Sequence, residues 1–118
     1  MHAHHISFKH AFEGLITALK TQPNFRIHLF FSLGALVLGL LLHISGIQWT
    51  IIAFTIAGGL AVELINTAIE FTVDLLTDQY HVLAKYAKDT AAAAMLVYAV
   101  GSVAVALLIF LPKLWPYI

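Results

Sequence analysis

Between Glu63 and Asp74 the sequence reads Glu-Leu-Ile-Asn-Thr-Ala-Ile-Glu-Phe-Thr-Val-Asp. On a helix turning about 100° per residue, Glu63, Glu70 and Asp74 fall within about 40° of one another, with Asn66 and Thr67 beside them. One helix face therefore carries three carboxylates and an amide. Oxygen donors of this kind suit Mg²⁺, which keeps several waters and needs one or two protein carboxylates plus substrate phosphates. A carboxylate at the edge of lipid can also take a proton from an alcohol. Downstream, Lys88 can meet a phosphate as a point charge, with Asp89 next to it.

The elements that must hold these groups are membrane helices. Of 118 residues, 61% are hydrophobic and only 10% charged, too little polar surface to cover a soluble globule. Six Lys and Arg balance six Asp and Glu, and no basic run occurs, so nucleic acid is not an expected partner. The chain has no cysteine, which excludes disulfide and thiolate chemistry. The histidines at 2, 4 and 5 read as a solvated tail, and the start of the chain lacks the apolar centre of a signal peptide.

The uncharged run from Ile47 to Val62 leads straight into the acidic face, and its 16 residues span about 24 Å as a helix, most of a hydrocarbon core. The acids thus begin where lipid meets water, and the helix is expected over 47–76. Before it, 27–44 reads as a first spanning helix with His28 and His43 at its ends. After it, 91–111 reads as a third, followed by Pro112, Lys113, Trp115 and Tyr117 as an interfacial anchor. Residues 77–90 read as a polar loop. From 7 to 22, Phe8, Ala11, Phe12, Leu15, Ile16 and Leu19 recur at helical spacing opposite Lys9, His10, Glu13 and Lys20, with Ser7 as cap and Pro23 ending the helix. That segment is expected to lie on the membrane surface. The fold class is an all-α membrane protein, three transmembrane helices and an amphipathic interfacial helix in a single membrane domain over 1–118. Lys9, Lys20, Arg26, Lys85 and Lys88 fall on one side against Lys113 on the other, which makes the N-terminal side cytoplasmic and puts the C-terminus outside. Three helices enclose little by themselves, so a homo-oligomer with sites shared between subunits is expected.

Carboxylates, a lysine and a membrane-depth Glu63 make the layout that phosphoryl transfer to a lipid alcohol requires. No Gly-x-x-x-x-Gly-Lys and no Gly-x-Gly-x-x-Gly occurs, so a nucleotide must be held by cation, side chains and helix ends. The rival reading is a non-catalytic or proton-translocating small membrane subunit in which one intramembrane Glu cycles its proton. It leaves Glu70, Asp74 and Lys88-Asp89 without a role.

The run from Glu63 to Glu70, followed by Asp74, Tyr80-His81 and Ala87-Lys88-Asp89, closely resembles the small bacterial integral-membrane lipid kinases, the diacylglycerol kinase and undecaprenol kinase family. The likeness extends from about Phe8 to Pro112, and Asn24-Phe25-Arg26-Ile27-His28 looks more like the undecaprenol kinase branch. The resemblance implies a homotrimer in the bacterial inner membrane that uses ATP with Mg²⁺ from the cytosol to phosphorylate undecaprenol or diacylglycerol. Glu63 then matches the family's proton acceptor and Glu70 its metal-linked carboxylate. Lys88 and Asp89 match the nucleotide-contacting pair, with Gln79, Tyr80 and His81 in the loop along the nucleotide. Asn66, with Asp74, would organise the acidic face, and Asn24, Arg26 and His28 fall where the lipid substrate is contacted. Two positions depart from the pattern. Gln22 stands where the family often has a second metal-binding glutamate, and His10 where some members place a tyrosine against the nucleotide.

Overall fold

The structure, a computed structural model, describes residues 8–118, so the expected Ser7 cap and the tail histidines lie outside the described residues. Four α-helices follow one another: α1, Phe8–Thr21; α2, Pro23–Leu41; α3, Gly46–Leu76; and α4, Val82–Leu114, closed by a 3₁₀ turn at Trp115–Tyr117. Three of them, α2 to α4, are long and apolar enough to cross a membrane. Large apolar side chains such as Phe30, Phe31, Phe54, Leu96, Val97 and Leu108 point outward over their length, which water would penalise and lipid does not. The chain is an integral membrane protein.

The boundaries differ from the sequence reading in ways that trace to local chemistry. Pro23 ends α1 and also begins α2, since its fixed φ and missing N–H suit the first helical position. The first spanning helix therefore starts at Pro23 rather than 27 and takes Asn24 and Arg26 into its first turn. It stops at Leu41 rather than 44 because the chain reverses there. His43 adopts φ 52°, and the amides of His43 and Ile44 bond back to the carbonyls of Leu40 and Gly39. Ser45 then opens α3 with a reciprocal cap: its hydroxyl accepts from the Gln48 amide while the Gln48 side chain accepts from the Ser45 amide.

The largest correction falls at 77–90. Only the stretch from Thr77 to His81 lies between helices, and α4 starts at Val82, so Lys85, Lys88 and Asp89 are helical. His81 Nδ1 accepts from the Leu83 amide at 3.1 Å as the N-cap, and the Lys85–Asp89 ion pair spans one turn. Polarity had marked a loop where it marks the solvated start of a helix. At the far end Pro112 does not terminate α4, which runs on to Leu114.

α3 pairs most extensively with α4, α2 packs on α3, and α1 touches α2 and α3. The tightest core lies at the α2–α3 turn, where Ile44, Ile52, Ile109 and Phe110 are buried among Leu38, Leu42, Trp49 and Val105. Trp49 sits against Gly39 at this helix contact. The opposite end, which carries the acids, is more open.

Candidate active site

The acidic face of α3 is as the 3.6-residue repeat predicts, and its groups are held differently. The Thr67 hydroxyl donates to the Glu63 carbonyl at 2.9 Å, and the Asn66 amide donates to Glu70 Oε1 at 3.2 Å. Asn66 and Thr67 are buried, whereas Glu63 and Glu70 are half-buried and Asp74 is exposed. Asp74 Oδ1 accepts from Lys88 Nζ at 2.6 Å, tying the end of α3 to the start of α4. Lys88 precedes the uncharged part of α4, and its ammonium is held by the hydrogen bond that it donates to Asp74. It is a fixed positive charge.

Two hollows collect most of the residues singled out in the sequence. A polar one of about 400 Å³ is lined by Asp74, Gln79, Tyr80, His81, Lys85, Lys88 and Asp89. Its floor is shaped by Thr77, whose hydroxyl accepts from the Gln79 amide and donates to the Gln79 carbonyl. Because His81 accepts on Nδ1, its neutral ring carries the proton on Nε2, leaving that atom a donor. The second, an apolar groove of about 340 Å³ between α2, α3 and α4, holds Glu63 together with Asn24, His28, Gly59 and Tyr98. Within one protomer Glu63 and Lys88 thus line different hollows, with Glu70 between them on α3.

Three named residues are engaged elsewhere. Arg26 does not enter either hollow: its guanidinium donates to the carbonyls of Leu19 at 2.7 Å and Lys20 at 3.2 Å, capping the last turn of α1. The Gln22 amide donates to the Thr21 hydroxyl at 3.2 Å. His10 is exposed on α1, its Nδ1 3.7 Å from Glu13.

The sequence reading passed over Lys85, Thr77 and Tyr98. The four-residue spacing of Lys85 and Asp89 was the available signal for the first. For Tyr98 it was a lone phenol in an uncharged span that also faces a Gly-Gly pair on another helix.

Among the described residues, no three His, Cys, Asp or Glu side chains gather into a ready-made metal cage. The donor set still suits a hard cation brought with phosphates: Glu70 supplies a carboxylate, and beside it the buried Asn66 Oδ1 has no hydrogen-bond partner.

A family model described as prokaryotic diacylglycerol kinase matches residues 9–110. The chain belongs to this family. This family member is 50% identical over 108 residues to an undecaprenol kinase of Bacillus subtilis, an alignment covering 92% of this chain and 88% of that one. It is 43% identical over 110 residues to a diacylglycerol kinase of Synechocystis, covering 92% of this chain and 63% of the relative. A diacylglycerol kinase of Helicobacter pylori is 35% identical over 85 residues, covering 72% of this chain and 66% of the relative. The kinase chemistry expected from the acidic face and from the motif resemblance is thereby that of the chain's own family.

Proposed function

We propose that this lipid kinase transfers the γ-phosphate of ATP to the hydroxyl of a membrane lipid alcohol, undecaprenol or diacylglycerol, at the cytoplasmic leaflet. One observation carries the reading: the groove that opens toward lipid contains one carboxylate, Glu63, and the same end of the bundle holds a polar hollow with a fixed lysine. In the proposed reaction the lipid oxygen attacks the γ-phosphorus as its proton passes to Glu63, and the bond from that phosphorus to the bridging oxygen of ADP breaks. Lys88 binds phosphate oxygens, exchanging its Asp74 partner for them. Gln79, Tyr80, His81 and Asp89 border the space where the rest of the nucleotide lies.

Glu70 would hold Mg²⁺ together with nucleotide phosphates and water, with Gln22 contributing its carbonyl. The cation supplies neutralisation of charge on the transferring group. Asn66 fixes the orientation of Glu70. The excess of Lys and Arg on the α1 side supports a cytoplasmic N-terminus in the inner membrane and an external C-terminus. The exposed apolar side of α1, Phe8 and Phe12 included, supports its lying in the membrane surface. The separation of Glu63 from Lys88 in one protomer supports a homotrimer whose complete sites are assembled between subunits.

The test is transfer of label from ATP to added undecaprenol or diacylglycerol by purified protein in micelles, with and without Mg²⁺. Transfer that needs Mg²⁺ and is lost in a helical, folded Glu63→Gln variant is the expected result. Activity of that variant near the parent level removes Glu63 as the base, and no transfer to any lipid favours the proton-carrying subunit.

A further inference from the structure

Tyr98 lies in the uncharged part of α4, where a phenol hydroxyl needs a partner that lipid cannot supply. It takes one from the backbone of α3, donating to the Thr55 carbonyl at 2.8 Å, with the Phe54 carbonyl at 3.4 Å. The Gly58-Gly59 pair makes this approach possible. A Cβ at Gly58 would overlap the Tyr98 hydroxyl, and one at Gly59 would overlap the His28 ring and come within 3.3 Å of Tyr98. The rings of His28 and Tyr98 therefore meet over the bare face of α3, one turn before Glu63.

That meeting point shapes the groove. The hollow containing Glu63 shares His28, Phe31, Ser102 and Val103 with a second one of about 260 Å³ that reaches Thr55 and Ile52. The two hollows adjoin through these residues and lie in a row along α3, about 16 Å from Glu63 to Ile52 at 1.5 Å per residue, and we read them as one apolar channel. Its flanks, Phe31 and Val103, are exposed in the protomer, so the channel is open sideways there. The carboxylate stands at one end and hydrocarbon walls at the other, which fits an alcohol with its tail.

We infer that Tyr98 is a specificity-determining residue: pinned by its hydroxyl, its ring narrows the channel so that a lipid alcohol with one hydrocarbon chain is preferred to one with two. The inference rests on the lipid-kinase reading of Glu63 and adds the shape of the tail to it. The pin matters as well as the ring, because a phenol released from Thr55 is free to swing out of the wall.

The experiment is competition between a single-chain isoprenoid alcohol and dioleoylglycerol in the same mixed micelles, with labelled ATP and purified protein. The parent protein is expected to favour the single-chain alcohol. Tyr98→Ala is expected to move the ratio of kcat/KM toward the two-chain alcohol by about tenfold, the scale of discrimination by shape in an apolar pocket. Tyr98→Phe and Gly58→Ala, which release the hydroxyl and keep the ring, are expected to move it less in the same direction. KM for ATP stays unchanged in all three, which general damage to the fold would not allow. If Tyr98→Ala fails to fold, the other two variants decide. A parent without preference for the single chain, or a ratio that stays within about twofold in every folded variant, overturns the inference while leaving the kinase reading intact. Failure to label either alcohol overturns the kinase reading itself.

Discussion

Asn66 separates stability from function within a single side chain. Its amide steadies Glu70, but its buried oxygen has no partner, so the residue contributes little net stability and costs some desolvation. Asn66→Leu is accordingly expected to leave thermal unfolding in detergent unchanged or slightly higher, while the Mg²⁺ concentration for half-maximal activity rises severalfold. Parent-like Mg²⁺ dependence in that variant would show that Glu70 needs no orientation. Gln22 offers the converse experiment. Gln22→Glu adds a charged ligand and is expected to lower the Mg²⁺ requirement, and an unchanged titration would place residue 22 outside the metal's reach. At this scale the acids were legible because carboxylates are costly in an apolar setting and spaced at the helical repeat. The capping role of Arg26 was not legible, since the carbonyls to which it donates, of Leu19 and Lys20, come into reach only through the turn at Pro23.

Helix ends carry most of what sequence periodicity left out. Lys85, Lys88 and Asp89 looked like loop because they follow the polar turn from Thr77 to His81, and the charges outweigh the short helical set of Val82, Leu83, Tyr86 and Ala87. The His81 cap and the Lys85–Asp89 pair reinforce that short set. His81→Ala is expected to cost about 1 kcal/mol of local stability, seen as faster hydrogen exchange of the amides just after it, with His81→Asn restoring protection. Equal exchange in all three proteins would mean that the cap does not hold the helix start. His43 poses the opposite case, a side chain in left-handed backbone that glycine adopts without strain. His43→Gly is expected to stabilise the protein by about 1 kcal/mol in reversible unfolding, and destabilisation would mean that its imidazole has a compensating contact.

Taken whole, the molecule is knitted at the α2–α3 turn and open where its acids stand. The three apolar helices were legible from composition and charge-free runs alone. The division of the site residues between two hollows was not, because it depends on how helices rotate against each other. That division makes a prediction about assembly: Glu63→Gln and Lys88→Ala, each inactive alone, are expected to regain part of the activity when the two chains are mixed and reassembled. No recovery at any mixing ratio would place all of the machinery within one subunit. The length of α3 also matters beyond packing. Its 31 residues reach about 46 Å, well past a hydrocarbon slab of about 30 Å, without a break. On the proposed reading, one continuous pillar lets an oil-soluble reactant and a water-soluble one each stay in its own phase, and only the phosphate crosses the boundary.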